Sequence, residues 1–210
     1  AGLLSATGFA PLSLWPVTLV CLAALIILIA KASDRRTAFL RGWLFGVGHF
    51  TLGLNWIATA FTYQAEMPAI LGWAAAPLLS LYLAIWPALA TCVAWCAARR
   101  RGLLTFALVF GAMWIGAEWL RSWVFSGYAW GPFSMMMLGD WERPGVAVIL
   151  PWAGSYALSG LMVALCGIFA WTISARRWAV SGAVLVGLIA AMYLPGPERR
   201  EGTLPLTLVQ

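Results

Sequence analysis

Two ionisable residues, Glu118 and Arg121, lie inside an apolar run that covers residues 103–124. Counted from Leu103 at 1.5 Å per residue, Glu118 lies about 22 Å along a helix, still inside a hydrocarbon core about 30 Å thick. Arg121 is three residues further on, so both side chains share one helical face. Charged groups at such depth are costly in free energy. The pair therefore indicates either a structural ion pair that locks this helix to a neighbouring one or a site lined by both residues.

A second group of polar residues, His49, Asn55 and Trp56, lies in the apolar run 37–61. Counted from Arg41, Asn55 is about 21 Å along a helix, at the depth of Glu118. Polar groups in lipid need internal partners, so we expect the two to approach each other. A lone histidine is more often a hydrogen-bonded packing residue than a ligand, which is our interpretation of His49.

The segment 125–145 contains too many glycines and prolines to span a membrane, yet it is too apolar for a solvated loop. Trp123 precedes it, and Tyr128, Trp130 and Trp141 lie within it, as aromatic residues do at membrane interfaces. Met135–Met137 offer an adaptable apolar surface. We predict an interfacial aromatic loop that either receives acyl chains or forms only an aromatic belt.

The sequence contains no GxSxG, HExxH or phosphate-binding glycine motif and no CxxC. All four cysteines lie inside apolar runs without a neighbouring base, and Lys31 is the only lysine. No residue of the chain can therefore be assigned as catalytic or as a metal ligand, and no cofactor is expected.

Composition determines the class of protein. Hydrophobic residues make up 63% of the 210 residues and charged residues only 10%, against about 25% charged in soluble domains. The fold class is therefore an all-α polytopic transmembrane bundle of about seven spans, the first one partial. The spans are predicted at 1–10, 16–32, 37–61, 68–98, 103–124, 152–174 and 178–194.

Two details of the bundle follow from residue type. Pro77 and Pro87 predict a kink in the fourth span. Small residues four apart, at Gly42 and Gly46 and again at 112 and 116, predict close approach of helix backbones.

The charge distribution predicts the orientation. The net charge is +6, but the basic residues form short clusters between apolar runs, so nucleic acid is not an expected partner. Nine of the 13 basic residues lie in alternate connections, namely Lys31, Arg35, Arg36, Arg41, Arg99, Arg100, Arg101, Arg176 and Arg177. By the positive-inside rule these connections are cytoplasmic, and segment 125–150 and the C-terminal tail are on the opposite side of the membrane.

Several stretches resemble the N-terminal membrane region of apolipoprotein N-acyltransferase, in order and spacing over nearly the whole chain. They are 8–11 (GFAP), 53–57 (GLNWI), 118–130 (EWLRSWVFSGYAW), 154–160 (GSYALSG) and 204–210 (LPLTLVQ). The third stretch is the specific one. The family often has proline where this chain has Ala129, so the turn of this loop departs from the family pattern.

The resemblance implies a bacterial inner-membrane acyltransferase with a membrane bundle over 1–202 and a nitrilase-like periplasmic domain beginning at 203–210. Its Glu–Lys–Cys triad is expected beyond residue 210, so the chain alone should be inactive. The implied partners are a phospholipid acyl donor, a diacylated apolipoprotein and membrane lipids, and a monomer is expected. The lipid-facing candidates are Asn55, Trp56, Glu118, Arg121, Trp123, Tyr128 and Trp130.

Two other functions remain open from the residues. A transporter could carry Glu118 and His49 along its pathway, and a related synthase could use the same bundle as an anchor.

Overall fold

The computed structural model describes residues 1–63, 68–125, 127–140, 143–193 and 195, and all regular elements in this part are helices. The α-helices are α1 (Gly2–Ser5), α2 (Trp15–Ala30), α3 (Arg35–Gly53), α4 (Trp56–Thr62), α5 (Ala69–Leu83), α6 (Ile85–Ala98), α7 (Leu103–Trp123), α8 (Leu150–Ser174) and α9 (Trp178–Tyr193). Three short 3-10 helices occupy Ala6–Gly8, Phe133–Met137 and Gly145–Ile149. The predicted all-α class is confirmed.

The helices long and apolar enough to cross a membrane are fewer than predicted. Within the described residues they are Ile70–Ala98, Leu103–Trp123 and Gly145–Ser174, with a fourth if the bent pair α3 and α4 forms one span. Helices α2 and α9 are apolar but have only 16 residues each. The count of seven spans therefore stays a prediction. The predicted start of a second domain at 203–210 lies outside the described residues.

Local sequence explains where helices begin and break. The Asp34 side chain caps α3 by accepting a hydrogen bond from the Thr37 amide at 2.8 Å. Such hydrogen bonds hold the pKa of the Asp34 carboxyl below its ordinary value. Pro87 has no amide hydrogen and crowds the carbonyl four residues earlier, and α5 ends there, at Leu83. The interruption where a kink was predicted therefore lies before Pro87, and Pro77 lies inside the regular helix α5.

The core is formed by α7 against α8, α3 against α6, and α6 against α7. The α3–α6 contact depends on the predicted glycines: a Cβ on Gly42 would lie 2.2 Å from Thr91 Oγ1, and one on Gly46 would lie 2.9 Å from the Ala84 Cα. The second predicted pair does not pack in this way, because a Cβ on Gly116 would meet nothing within 4 Å. On α7 it is Gly111 that contacts α8, at Gly160.

The basic connections lie close together at one end of the bundle. Trp95 near the end of α6 donates a hydrogen bond to the Ala32 carbonyl between α2 and α3, at 3.1 Å. The Arg99 guanidinium lies over the Trp95 ring, 4.5 Å from its centroid. We call this the basic end, and the end where α7 connects to α8 the opposite end.

Candidate functional site

The predicted ion pair is present and buried. The Glu118 and Arg121 side chains are each 2% exposed, and Arg121 Nη2 lies 3.8 Å from Glu118 Oε1. Both residues project from the last turns of α7 towards the connection between α7 and α8. The sequence placed them on one face correctly, but it did not indicate what that face contacts.

The Glu118 carboxylate holds the start of the 3-10 helix 133–137. Its Oε1 accepts hydrogen bonds from the Phe133 amide at 2.9 Å and from Trp114 Nε1 at 3.0 Å. The next amide, of Ser134, donates to the Ser159 hydroxyl of α8 at 2.8 Å. Free amides at a helix start carry partial positive charge, so a carboxylate is a suitable partner. Two core helices therefore anchor this short helix.

Arg121 holds the α7–α8 connection at Ala129, four residues before Phe133. Its Nη2 donates to the Ala129 carbonyl at 3.4 Å, and its guanidinium lies over the Phe50 ring of α3, 5.0 Å from the centroid. Glu118 Oε2 and Arg121 Nε, like Trp86 Nε1 elsewhere in the bundle, have no hydrogen-bond partner among the residues that the structure describes. Of the two hypotheses from the sequence, this geometry favours the structural lock, which fastens the α7–α8 connection to α3 and α7.

A cleft of about 390 Å³ lies directly beside this lock, and we call it the outer cleft. Three chain connections surround it: the α1–α2 connection, the α3–α4 bend and the α7–α8 connection. Its lining residues are Gly8, Phe9, Ala10, Ser13, Gly53, Leu54, Trp56, Tyr128, Gly131, Met135, Leu138 and Gly139. Two predicted residues, Trp56 and Tyr128, are therefore cleft residues, whereas Glu118 and Arg121 do not line the cleft.

Trp130 is half-buried and packs behind the cleft lining, against Tyr128. Its ring meets Tyr128 edge to face, with centroids 4.9 Å apart, and it lines a cavity of about 40 Å³ together with His49 and Phe50. The Trp130 backbone has φ 45°, a left-handed conformation that bulky residues rarely adopt. Such conformations persist where surrounding contacts impose them. Here the bonds from Arg121 to Ala129 and from Phe133 to Glu118 hold the chain on both sides.

His49 is a packing residue, as its sequence context suggested. Its Nδ1 lies 2.8 Å from the Ser5 hydroxyl, and its ring stacks on Phe133 with centroids 4.6 Å apart. Ser5 also donates to the Gly2 carbonyl. His49 thereby connects α1, α3 and the 3-10 helix 133–137. No feature of the sequence pointed to Ser5, because the partners are 44 positions apart.

Two of the predicted residues lie apart from the lock. Asn55 is exposed at the bend between α3 and α4, and its side chain does not cap α4. The structure therefore does not pair Asn55 with Glu118. The Glu118 carboxylate accepts hydrogen bonds from Trp114 and Phe133 instead, and the α3 residue that reaches the pair is Phe50. Trp123 is exposed and contacts Trp119 edge to face, with centroids 5.4 Å apart. Trp141 lies outside the described residues.

The cleft residues that sequence reasoning missed are mostly glycines and small apolar residues. A signal existed, because the stretches 8–11 and 53–57 both interrupt apolar runs with glycine or proline. Such interruptions mark the places where helices end, and the cleft is built from helix ends. Within the described ranges, no three His, Cys, Asp or Glu side chains group as metal ligands would.

Comparison with known proteins agrees with these features. The family described as "Apolipoprotein N-acyltransferase N-terminal domain" matches residues 1–168. The proteins named apolipoprotein N-acyltransferase from Vibrio vulnificus and Ralstonia nicotianae are 33% and 32% identical to the chain, over 85% and 90% of its length. That from Methylococcus capsulatus is 32% identical over 88%.

The chain spans about a third of the length of these relatives, with 34%, 36% and 36% of their sequences covered. The matched region nevertheless includes the whole lock, the outer cleft and helices α1 to α7. This chain belongs to the family of apolipoprotein N-acyltransferase N-terminal domains.

Proposed function

We propose that the chain is the membrane domain of an enzyme that moves an acyl chain from a phospholipid to the N-terminal diacylglyceryl-cysteine of a lipoprotein. The family and the names of the relatives support the reaction class. The single observation that carries the proposal is the outer cleft, which opens where three connections meet and presents exposed aromatic rings. Its role is to receive the acyl chains of donor and acceptor.

The lining chemistry suits acyl chains. Leu54, Met135 and Leu138 supply apolar surface, and Met135 can adapt its shape to a flexible chain. Trp56 and Tyr128 add aromatic rings, which favour the boundary between lipid and water. A cleft of this kind holds a chain by apolar burial and needs few polar contacts.

The catalytic groups of the proposed enzyme lie outside this chain. Cys21 and Cys166 are buried in the bundle. Cys92 and the exposed Cys96 lie in the second half of α6, towards the basic end and away from the outer cleft. A thiol that accepts an acyl group must be accessible and have a base at hydrogen-bonding distance. We therefore place the acyl-accepting thiol in the part of the enzyme that adjoins the outer cleft in the full-length protein.

We further propose that the chain lies in the bacterial inner membrane as a monomer, with the basic end in the cytoplasm and the outer cleft towards the periplasm. The motive is the clustering of arginines in the connections α2–α3, α6–α7 and α8–α9. Basic residues of short loops are retained on the cytoplasmic side.

Labelling with a membrane-impermeant thiol reagent tests this orientation. In a variant with Cys21, Cys92, Cys96 and Cys166 replaced by alanine, a cysteine at position 140 should be labelled in intact spheroplasts. A cysteine at position 100 should be labelled only after the membrane is opened, because Arg100 lies in the α6–α7 connection. Labelling at 100 and protection at 140 in closed spheroplasts would reverse the proposed orientation.

Removal of the exposed rings of the outer cleft should slow acyl transfer. Burial of one aromatic side chain under a bound lipid is worth about 1.5–3 kcal/mol, so Trp56→Ala or Tyr128→Ala in the full-length enzyme should reduce kcat/KM at least about tenfold. The measurement is transfer from a labelled phospholipid to a diacylated lipopeptide.

The matched control is Trp178→Ala, because Trp178 is even more exposed, at 64% against 54% for Trp56 and 56% for Tyr128, but begins α9 at the basic end. It should retain the activity of the unchanged enzyme, and all three variants should melt at the unchanged temperature. Full activity of both cleft variants would remove the outer cleft from the substrate path.

A further inference from the structure

A second groove whose lining combines charge and apolar surface lies at the basic end, far from the outer cleft. An open groove of about 340 Å³ runs between α3 and α6. Its lining residues are Arg35, Arg36, Phe39, Leu40 and Cys92. The first four come from the first two turns of α3, and Cys92 comes from α6. We call this the basic groove.

Charge and apolarity are ordered along the basic groove. Phe39 follows Arg35 by four residues, and Leu40 follows Arg36 by four, so each arginine shares a helical face with an apolar side chain. The apolar residues lie about 6 Å deeper along the helix axis than the arginines. The groove therefore has a cationic mouth at the end of the bundle and an apolar floor towards its middle.

The two guanidinium groups at the mouth have no partner in the described part of the chain, unlike other arginines nearby. Arg41 donates to the Leu28 carbonyl. Arg99 lies over Trp95, and Arg177 over Trp171, at 4.5 and 4.8 Å.

The nearest acid, Asp34, forms no ion pair with either arginine within the described residues. The Asp34 carboxylate accepts hydrogen bonds from Ser33 and Thr37. The ion pair between Glu118 and Arg121 is distant and involves neither Arg35 nor Arg36. With Asp34 included, the mouth keeps a net positive charge, and both guanidinium groups are free of ion pairs within the described residues.

We propose that the basic groove binds an anionic phospholipid, with its phosphate at Arg35 and Arg36 and one acyl chain along Phe39, Leu40 and Cys92. Arginine recognises phosphate through paired hydrogen bonds, and basic pockets between membrane helices bind anionic headgroups. The apolar floor distinguishes a lipid from a soluble anion. The site is separate from the outer cleft, since Arg35 and Gly53 stand about 27 Å apart along α3.

Native mass spectrometry of the whole chain in detergent tests the proposal, with phosphatidylglycerol and phosphatidylcholine as the two lipids. The unchanged protein should bind phosphatidylglycerol more tightly. Each arginine near an anionic lipid contributes a factor of about five in affinity, so Arg35→Gln with Arg36→Gln should weaken phosphatidylglycerol binding about 25-fold. Binding of phosphatidylcholine should not change.

Arg100→Gln with Arg101→Gln is the matched control, since it removes the same charge at the same end but outside the groove lining. Its affinity for phosphatidylglycerol should stay within about twofold of that of the unchanged protein. This change is smaller than the factor of about five expected for loss of a single arginine that contacts the lipid. Cys92→Phe, which fills the floor, should weaken binding with both arginines in place. If Cys92→Phe lowers the melting temperature, Leu40→Ser replaces it as the test of the apolar floor, because Leu40 is exposed and its replacement should leave the fold intact. Leu40→Ser should also weaken phosphatidylglycerol binding.

Three results would overturn the proposal. The first is an equal loss of affinity in the control variant, which would indicate a diffuse charge effect. The second is equally tight binding of phosphatidylcholine to the unchanged protein. The third is displacement of the bound lipid by millimolar inorganic phosphate, which would indicate a site for a soluble anion.

Discussion

Glu118→Gln and Arg121→Gln should each lower the free energy of unfolding by about 3–5 kcal/mol, the usual effect of breaking a buried ion pair. Both side chains are 2% exposed, so the remaining charge has no access to water. Glutamine at 118 keeps an oxygen that can accept the hydrogen bonds from Phe133 and Trp114. The loss in that variant therefore measures the stranded guanidinium of Arg121.

The double variant should recover part of the loss, because neither charge is then left alone in a low-dielectric environment. Thermal or denaturant unfolding of the four proteins in one detergent gives the coupling energy of the pair. Arg100→Gln, the same change at an exposed arginine, should alter stability by no more than about 0.5 kcal/mol. Single variants as stable as the unchanged protein would show that the buried pair is not a lock.

Gly111→Ala should destabilise the bundle by about 1–3 kcal/mol, in the range of an overpacked core. A Cβ at this position would lie 2.6 Å from the Gly160 carbonyl oxygen and 3.1 Å from the Ala164 Cβ. Backbone atoms of α8 cannot rotate away as a side chain can, so α7 and α8 would have to separate. Because α8 also anchors the 3-10 helix 133–137 through Ser159, the connection above the lock should loosen as well.

Gly116→Ala on the same helix is the matched control. Nothing lies within 4 Å of a Cβ at this position, and alanine has a higher helix propensity than glycine by about 1 kcal/mol. This variant should be unchanged or more stable in the same unfolding measurement. If Gly111→Ala is also neutral, the close contact of α7 and α8 does not exist in the protein.

The sequence by itself determined the features that depend on neighbouring residues. Apolar runs predicted α7 at 103–124, and the helix spans Leu103–Trp123. Spacing along one helix placed Glu118 and Arg121 on a common face, since residues three apart are always neighbours there. Composition predicted the membrane class, because 10% charged residues cannot cover a soluble surface, and at least three described helices are long and apolar enough to cross a membrane.

Only the tertiary structure decided which faces meet. Small residues four apart look alike in sequence, yet Gly42 and Gly46 pack on α6, whereas Gly116 faces open space. The count of spans among the described residues also depends on the 43° bend between α3 and α4, whose size local sequence does not determine.

The tertiary structure also determined which of the predicted residues form the candidate site. Trp56 and Tyr128 were predicted as lipid-facing, and the fold brings both to the outer cleft, but it leaves Asn55 exposed while Glu118 is buried with other partners. The partners of the lock are a backbone amide 15 residues from Glu118 and a ring of another helix. Such contacts depend on how whole helices cross, and crossing is set by the packing of side chains over their full length. The spacing of residues along one chain therefore predicts which groups are available, and helix packing decides which of them meet.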